Sequence, residues 1–216
     1  MEERNVIVTL NKAKEWFNSG NATLREIALQ AFDKDELTYN FKNITTFKKA
    51  CEALDLNYNA MFHITKSIAT ISRASAAMFK LNIIRKALNL GQDLHLTKNP
   101  EDSYIYYPYN PFVTKSSTYY KSEINSGKME VIGKIKSEGE EYNVLGGDAT
   151  FGSYAGFGYF YYFDGVGHAD SDIGFFGCVS MEIAEHFGKY FGMLITEAKY
   201  ADMIKDFEII ESKYEN

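Results

Sequence analysis

The residues best suited to chemistry stand in three places in the C-terminal half of the chain. His168, Asp170 and Asp172 lie in the short run HADSD, just after the turn Gly165-Val166-Gly167. In an extended segment alternate residues point to one face, so these three could converge on a divalent ion. A polar hairpin loop, with Asp side chains bonding nearby backbone amides, explains the same run. No calcium-loop spacing and no His or Cys pairing of zinc type accompanies it, and the hairpin reading is preferred. Glu182, Glu185 and His186 form the second group. Glu182 and His186 are four apart on a predicted helix and could share a proton or a metal. Acidic residues complementing the positive end of that helix are the simpler explanation. Third, Cys178 precedes the same helix, where a thiolate would be stabilised. It is read as a small apolar residue at a strand end. No catalytic set, metal or cofactor is expected.

Glycine spacing does not supply a phosphate loop either. Gly156-Phe157-Gly158 lacks a third glycine in place and leads into a predicted strand, and neither GxxxxGK[ST] nor GxSxG occurs. Gly188 and Gly192 make a GxxxG whose neighbours Glu185, Lys189 and Glu197 argue against a bilayer. Close packing of this helix on a sheet is the expected reason for them.

The aromatics remain. Five of nine residues in Tyr104–Phe112 (YIYYPYNPF) are Tyr or Phe, as are eight of thirteen in Phe151–Phe163 (FGSYAGFGYFYYF). Such residues favour pleated, half-buried surface. Most of these rings are expected to form a core beneath helices. Tyr109, Phe112, Tyr119 and Tyr120 stand beside proline or in a polar loop, and they are the candidates for a binding surface. Tyr159, Tyr161 and His168 would line a pocket if the protein held a small ligand. Stacking of single-stranded nucleic acid is disfavoured, because the net charge is −6 from 29 acids and 23 bases. A protein partner or self-assembly is the preferred reading.

These residues need elements to position them. The 216-residue chain is 45% hydrophobic and 24% charged, as soluble globular proteins are. Residues 1–58 read as short helices forming a small region of their own. Thr9 caps the first, which ends near Gly20, Thr23 with Glu26 forms a capping box for the second, and Thr45 or Thr46 opens a third. Trp16 is expected to anchor this region. From about 60 to 90 a single long helix is predicted, with Ile64, Ile68, Ile71, Ser75 and Met78 facing inward and Gly91 ending it. Strands are predicted at Tyr104–Tyr107, Met129–Ile135, Glu141–Leu145, Gly156–Phe163 and Gly174–Cys178, with turns at Gly139 and Gly146-Gly147-Asp148. Pro108 and Pro111 limit the first aromatic run to an edge or a strand end. Ser116–Gly127 reads as a polar loop. Ser180 caps a final helix to about Tyr200, burying Ile183, Phe187, Phe191, Leu194 and Ala198. The fold class is α+β: a helical N-terminal region and long helix, then, within residues 59–216, a mainly antiparallel aromatic-rich sheet packed by the C-terminal helix.

Cys51 and Cys178 lack a repeated spacing and read as free thiols of a reducing compartment. Met1–Arg4 is charged, with no apolar segment of signal-peptide type after it, and no run approaches the length of a membrane span. The expectation is an intracellular protein that does not enter a membrane.

Two segments carry a resemblance. MFKLNIIRKALNLGQDLHLTKNPEDSYIYYPYNPF (Met78–Phe112) and GFFGCVSMEIAEHFGKYFGMLITEAKY (Gly174–Tyr200) resemble uncharacterised proteins carried by phages and integrated elements of gut Bacteroidetes. The shared elements are Ala87-Leu88-Asn89 with Gly91, Tyr106-Tyr107-Pro108, Cys178, and the helix from Ser180 through Phe191. Thr23–Phe32 is similar to the leading helix of many such proteins, whereas Val113–Glu138 is longer and more polar than their pattern. The resemblance implies a viral or mobile-element origin and an α+β architecture. The group has no established activity, so no functional residue carries over. The functional reading is a non-enzymatic accessory protein in the cytoplasm of a bacterial host, with a virion component docked by its N-terminal arm as the alternative.

Overall fold

The structure is a computed structural model, and it describes residues 8–89, 104–153 and 176–214. The chain divides into two compact units, Met1–Asn40 and Phe41–Asn216. The first holds α1 (Leu10–Asn18), α2 (Ala22–Ala31) and α3 (Lys34–Leu37). Thr9 caps α1 by accepting from the Lys12 amide at 3.3 Å. The cap of α2 is Asn21, not Thr23: its Oδ1 accepts from the amides of Thr23 and Leu24 at 3.0 and 3.2 Å. One asparagine thereby satisfies two of the orphan amides, leaving no task for Thr23. Ala13, Ala28 and Leu37 are the buried centre of this unit, and Trp16, Phe17 and Phe32 pack around them, half-buried.

The second unit begins with α4 (Phe47–Ala53), so the third helix expected within residues 1–58 belongs here. Thr46 caps it, and it packs on α5 (Tyr58–Ala69) and α6 (Arg73–Leu88). The helix expected to run unbroken from 60 to 90 is these last two. Ser72 separates them by accepting the Ser75 amide at 2.9 Å, a cap that restarts the helix on a new axis. Ile71 therefore falls in a turn and is 90% exposed, and Ile64 is exposed too, while Thr65 is buried. Asn89 ends α6 ahead of Gly91, which lies outside the described residues.

Two antiparallel sheets follow. The first pairs β1 (Tyr104–Tyr109) with β5 (Asp148–Ser153), so that Tyr109 stands opposite Asp148. The second has the order β2-β4-β3-β6, from β2 (Phe112–Thr114), β3 (Glu130–Ser137), β4 (Glu140–Gly146) and β6 (Glu208–Ser212). Strands β2, β5 and β6 were not among those expected. Gly147 does make the predicted turn, at φ 99°, but the chain resumes as a strand at once. The predicted strand Gly156–Phe163 lies outside the described residues. Of Gly174–Cys178, Phe176–Cys178 is described, and Cys178 makes a bridge to Tyr106 through both backbone bonds, at 3.1 and 2.7 Å.

Helix α8 (Met181–Tyr200), capped by Ser180 as expected, packs on strands of both sheets and on α6. Its stripe Ile183, Phe187, Phe191 and Leu194 is buried. Ile132, Ile135, Val144, Met193 and Phe207 form a core between helix and sheet. The α+β class is therefore as the patterning predicted. Both cysteines are free and buried. Among the described residues no helix is long and apolar enough to cross a membrane.

Candidate functional site: a tyrosine cluster beside a polar groove

The corner Tyr109-Asn110-Pro111 is fixed by α8. Asn110 Nδ2 donates to the carbonyls of Leu145 in β4 and Gly188 in α8, each at 2.9 Å. It can do so because Gly188 and Gly192 present bare backbone: a Cβ on Gly188 would come within 2.9 Å of Pro108 Cβ. Pro111 completes the corner by accepting from the Leu145 amide at 2.9 Å. The two sides of the corner then diverge. Tyr109 projects outward, 39% exposed. Phe112 turns inward against Tyr142 and Tyr200, with ring centroids 5.7 and 5.3 Å away. Phe112 is thus a half-buried margin of the core, apart from the tyrosines it was grouped with.

The segment expected to be a polar loop contains α7 (Lys121–Asn125), a single helical turn. Tyr120 precedes it with φ 60°, in the left-handed region that side chains rarely occupy. This places the Tyr120 hydroxyl 2.6 Å from that of Tyr109. Burial, and then the hydrogen bond with Tyr109, push the Tyr120 phenol well above its ordinary value. Tyr119 stands edge-on to Tyr120 at 4.7 Å and is 70% exposed. Three of the tyrosines singled out from sequence thus form one cluster. Tyr159, Tyr161 and His168, with the rest of the HADSD run, lie outside the described residues.

Beyond α7, a groove of about 750 Å³ opens between α8 and the β3–β4 strands, with Ile124 and Lys128 at its edge. Glu130 is its electrostatic hub. Its carboxylate accepts from Lys189 at 2.8 Å, from the Tyr214 hydroxyl at 2.7 Å, and from Lys213. Burial opposes the charge, but these three donors outweigh it and hold the carboxyl at about 2, against an ordinary 4.5. A carboxylate held below its unfolded value stabilises the fold above that value, and the contribution fades as pH falls from 4.5 towards 2. Glu130→Gln should therefore lose about 1–2 kcal/mol at neutral pH. In urea titrations its midpoint should converge on that of the parent as pH falls through this window; a constant gap would show that the charge is not involved.

On the opposite wall, Glu182, Glu185 and His186 all line the groove. His186 Nε2 donates to the Ile44 carbonyl at 2.8 Å. Burial lowers the imidazole's pKa, so the ring is neutral at pH 7. Glu185 is raised by burial, then by the charges of Asp148 and Glu182. The metal reading of this trio gains no support: among the described residues no group of three or more His, Cys, Asp or Glu could hold an ion. Burial pushes the Cys178 thiol up to about 12, which disfavours the thiolate that a nucleophile needs. Sequence reasoning missed Phe41, Tyr190, Lys213 and Tyr214 at this site. They come from three separate stretches of chain, and only the alternation of aromatic and lysine at Phe41-Lys42, Lys189-Tyr190 and Lys213-Tyr214 could have pointed to them.

Comparison of the chain with protein-family models, with curated proteins and with solved structures finds no match.

Proposed function

We propose that the protein is a non-enzymatic accessory protein of a phage or mobile element, binding a protein partner in the cytoplasm of its bacterial host through the tyrosine surface. The observation that carries this reading is the convergence of Tyr109, Tyr119 and Tyr120, with Tyr119 70% exposed. Tyrosine is enriched where proteins bind one another, because it offers a large apolar ring and a polar tip at little entropic cost. The left-handed Tyr120 costs about 1–3 kcal/mol in an unconstrained chain, and such strain gathers at functional positions. Its fixed ring, bonded to Tyr109, also reduces the ordering needed on binding.

A photo-crosslinking amino acid in place of Tyr119, in cells that produce the protein naturally, should give one adduct of defined mass. The same group at the exposed Glu138, in the β3–β4 turn, should not. An adduct of twice the chain's mass would identify the partner as a second copy. No adduct, or the same adducts from both positions, would remove the tyrosine surface as the binding site.

A further inference from the structure

The groove holds a second arrangement, distinct from the tyrosine cluster. Phe41, His186 and Tyr190 follow one another along its wall, with ring centroids 5.5 and 4.5 Å apart. Tyr214 continues the series 4.7 Å beyond Tyr190. A lysine ammonium accompanies three of these four rings: Lys42 at Phe41, Lys189 at Tyr190 and Lys213 at Tyr214, each 5.4–5.9 Å from the ring centre. Rings interleaved with cations are what a stacked base and its phosphate require.

The charges are also sorted along the groove. At one end, the two ammoniums of Lys189 and Lys213 meet the single carboxylate of Glu130, leaving a net positive charge, and Lys42 lines the same groove beside Phe41. An ammonium has three donors, so a lysine that holds Glu130 can also hold phosphate. At the other end, Glu182 and Glu185 stand with Asp148, and Lys128 is 3.1 Å from Asp148. Glu182 lies one helical turn before His186 on the same face of α8. A base resting on His186 would turn its edge towards these carboxylates, which accept from amino groups and repel carbonyls.

We propose that this groove binds a nucleobase carrying phosphate, the base against Phe41, His186 and Tyr190 and the phosphate at Lys42, Lys189 and Lys213. The carboxylate end selects bases with amino groups, so adenine, guanine and cytosine are favoured over uracil. The volume of about 750 Å³ suits a ligand of one or two nucleotides. The net charge of −6 argues against a longer tracked strand. A free nucleotide and the end of a single strand offer the same chemistry.

Calorimetric titration of the full chain at low salt decides the matter. AMP, GMP and CMP should bind saturably. UMP, cytidine and ribose 5-phosphate should each bind about fivefold or more weakly, since each lacks one recognised group. Lys42→Glu, on an exposed side chain, and Tyr190→Ala should each weaken CMP by about fivefold or more. Tyr119→Ala, in the other cluster, should leave CMP unchanged. A (dC)4 oligonucleotide that binds more tightly than CMP would identify a strand end as the ligand, and equal binding would identify the free nucleotide. No saturable binding of any nucleotide at millimolar concentration overturns the proposal. So does binding that Lys42→Glu leaves intact while circular dichroism shows both proteins folded.

Discussion

Gly192→Ala is expected to destabilise the second unit by about 1–3 kcal/mol, although alanine is the better helix former by about 1 kcal/mol. The new methyl group would overlap the Asn110 amide nitrogen and the Ile132 Cδ1 methyl. Ile132 can rotate away, since the clash is at the far end of its side chain. Asn110 cannot move without breaking its bonds to Leu145 and Gly188, each 2.9 Å long. Those carbonyls would then lose the Asn110 donor, at about 0.5–1.5 kcal/mol for each bond. The sign of the change is therefore the test. A double-mutant cycle with Asn110→Ala should show a coupling of about 0.5–3 kcal/mol, because removing the amide makes room for the methyl. Trp16 is the only tryptophan and belongs to the first unit, so unfolding should be followed through tyrosine near-ultraviolet dichroism. Additive effects of the two changes would mean that the corner and the helix are not clamped together.

Phe187→Ala should cost more, about 3–5 kcal/mol. The ring is fully buried between Phe176 and Phe191, with centroids 6.2 and 6.0 Å away, on the face of α8 that meets the sheets and α6. A ring with no exposed surface leaves a cavity that its packed neighbours fill only in part. Domains of this size are stable by only about 5–15 kcal/mol, so the variant should be at or near the threshold of folding. Phe187→Leu keeps most of the volume and should cost less than half as much. The urea midpoint of the alanine variant is the measurement, with the leucine variant as the reference. A loss below 1 kcal/mol in Phe187→Ala would show that α8 is less tightly enclosed than its burial implies.

Both predictions concern α8, and α8 was the most legible element in the sequence. Its apolar period, the Ser180 cap and the paired glycines all pointed to one helix on a sheet, and all three hold. The 60–90 segment was harder, because an apolar period can run straight through a break. Ile64, Ile68 and Ile71 fit one stripe on paper, yet the Ser72 cap rotates the second helix and leaves Ile71 in solvent. Local competition misled at Thr23 in the same way: Thr-x-x-Glu fits a capping box, but Asn21 starts the helix two residues earlier by accepting from the Thr23 and Leu24 amides. Short edge strands such as Phe112–Thr114 and Glu208–Ser212 carry too few residues for alternation to register, and are fixed by partners distant in sequence. Of the candidate site, Tyr109, Tyr119 and Tyr120 could be named because proline and polar surroundings marked them as exposed. Their meeting depends on a left-handed tyrosine that no propensity foretells. The groove was illegible as a whole, since its rings and lysines converge only through the tertiary fold.

The place of β6 in its sheet has a consequence for the order in which the protein is made. Strand β3 pairs with β4, its immediate successor, but also with Glu208–Ser212, more than seventy residues downstream. On the ribosome, β3 and β4 can form their hairpin early, while the other margin of β3 stays open until α8 and β6 have emerged. Val131, Ile132 and Ile135 would meanwhile offer an unpaired, partly apolar template to other nascent chains. Late closure of this kind leaves that margin of β3 open for as long as α8 and β6 take to be translated.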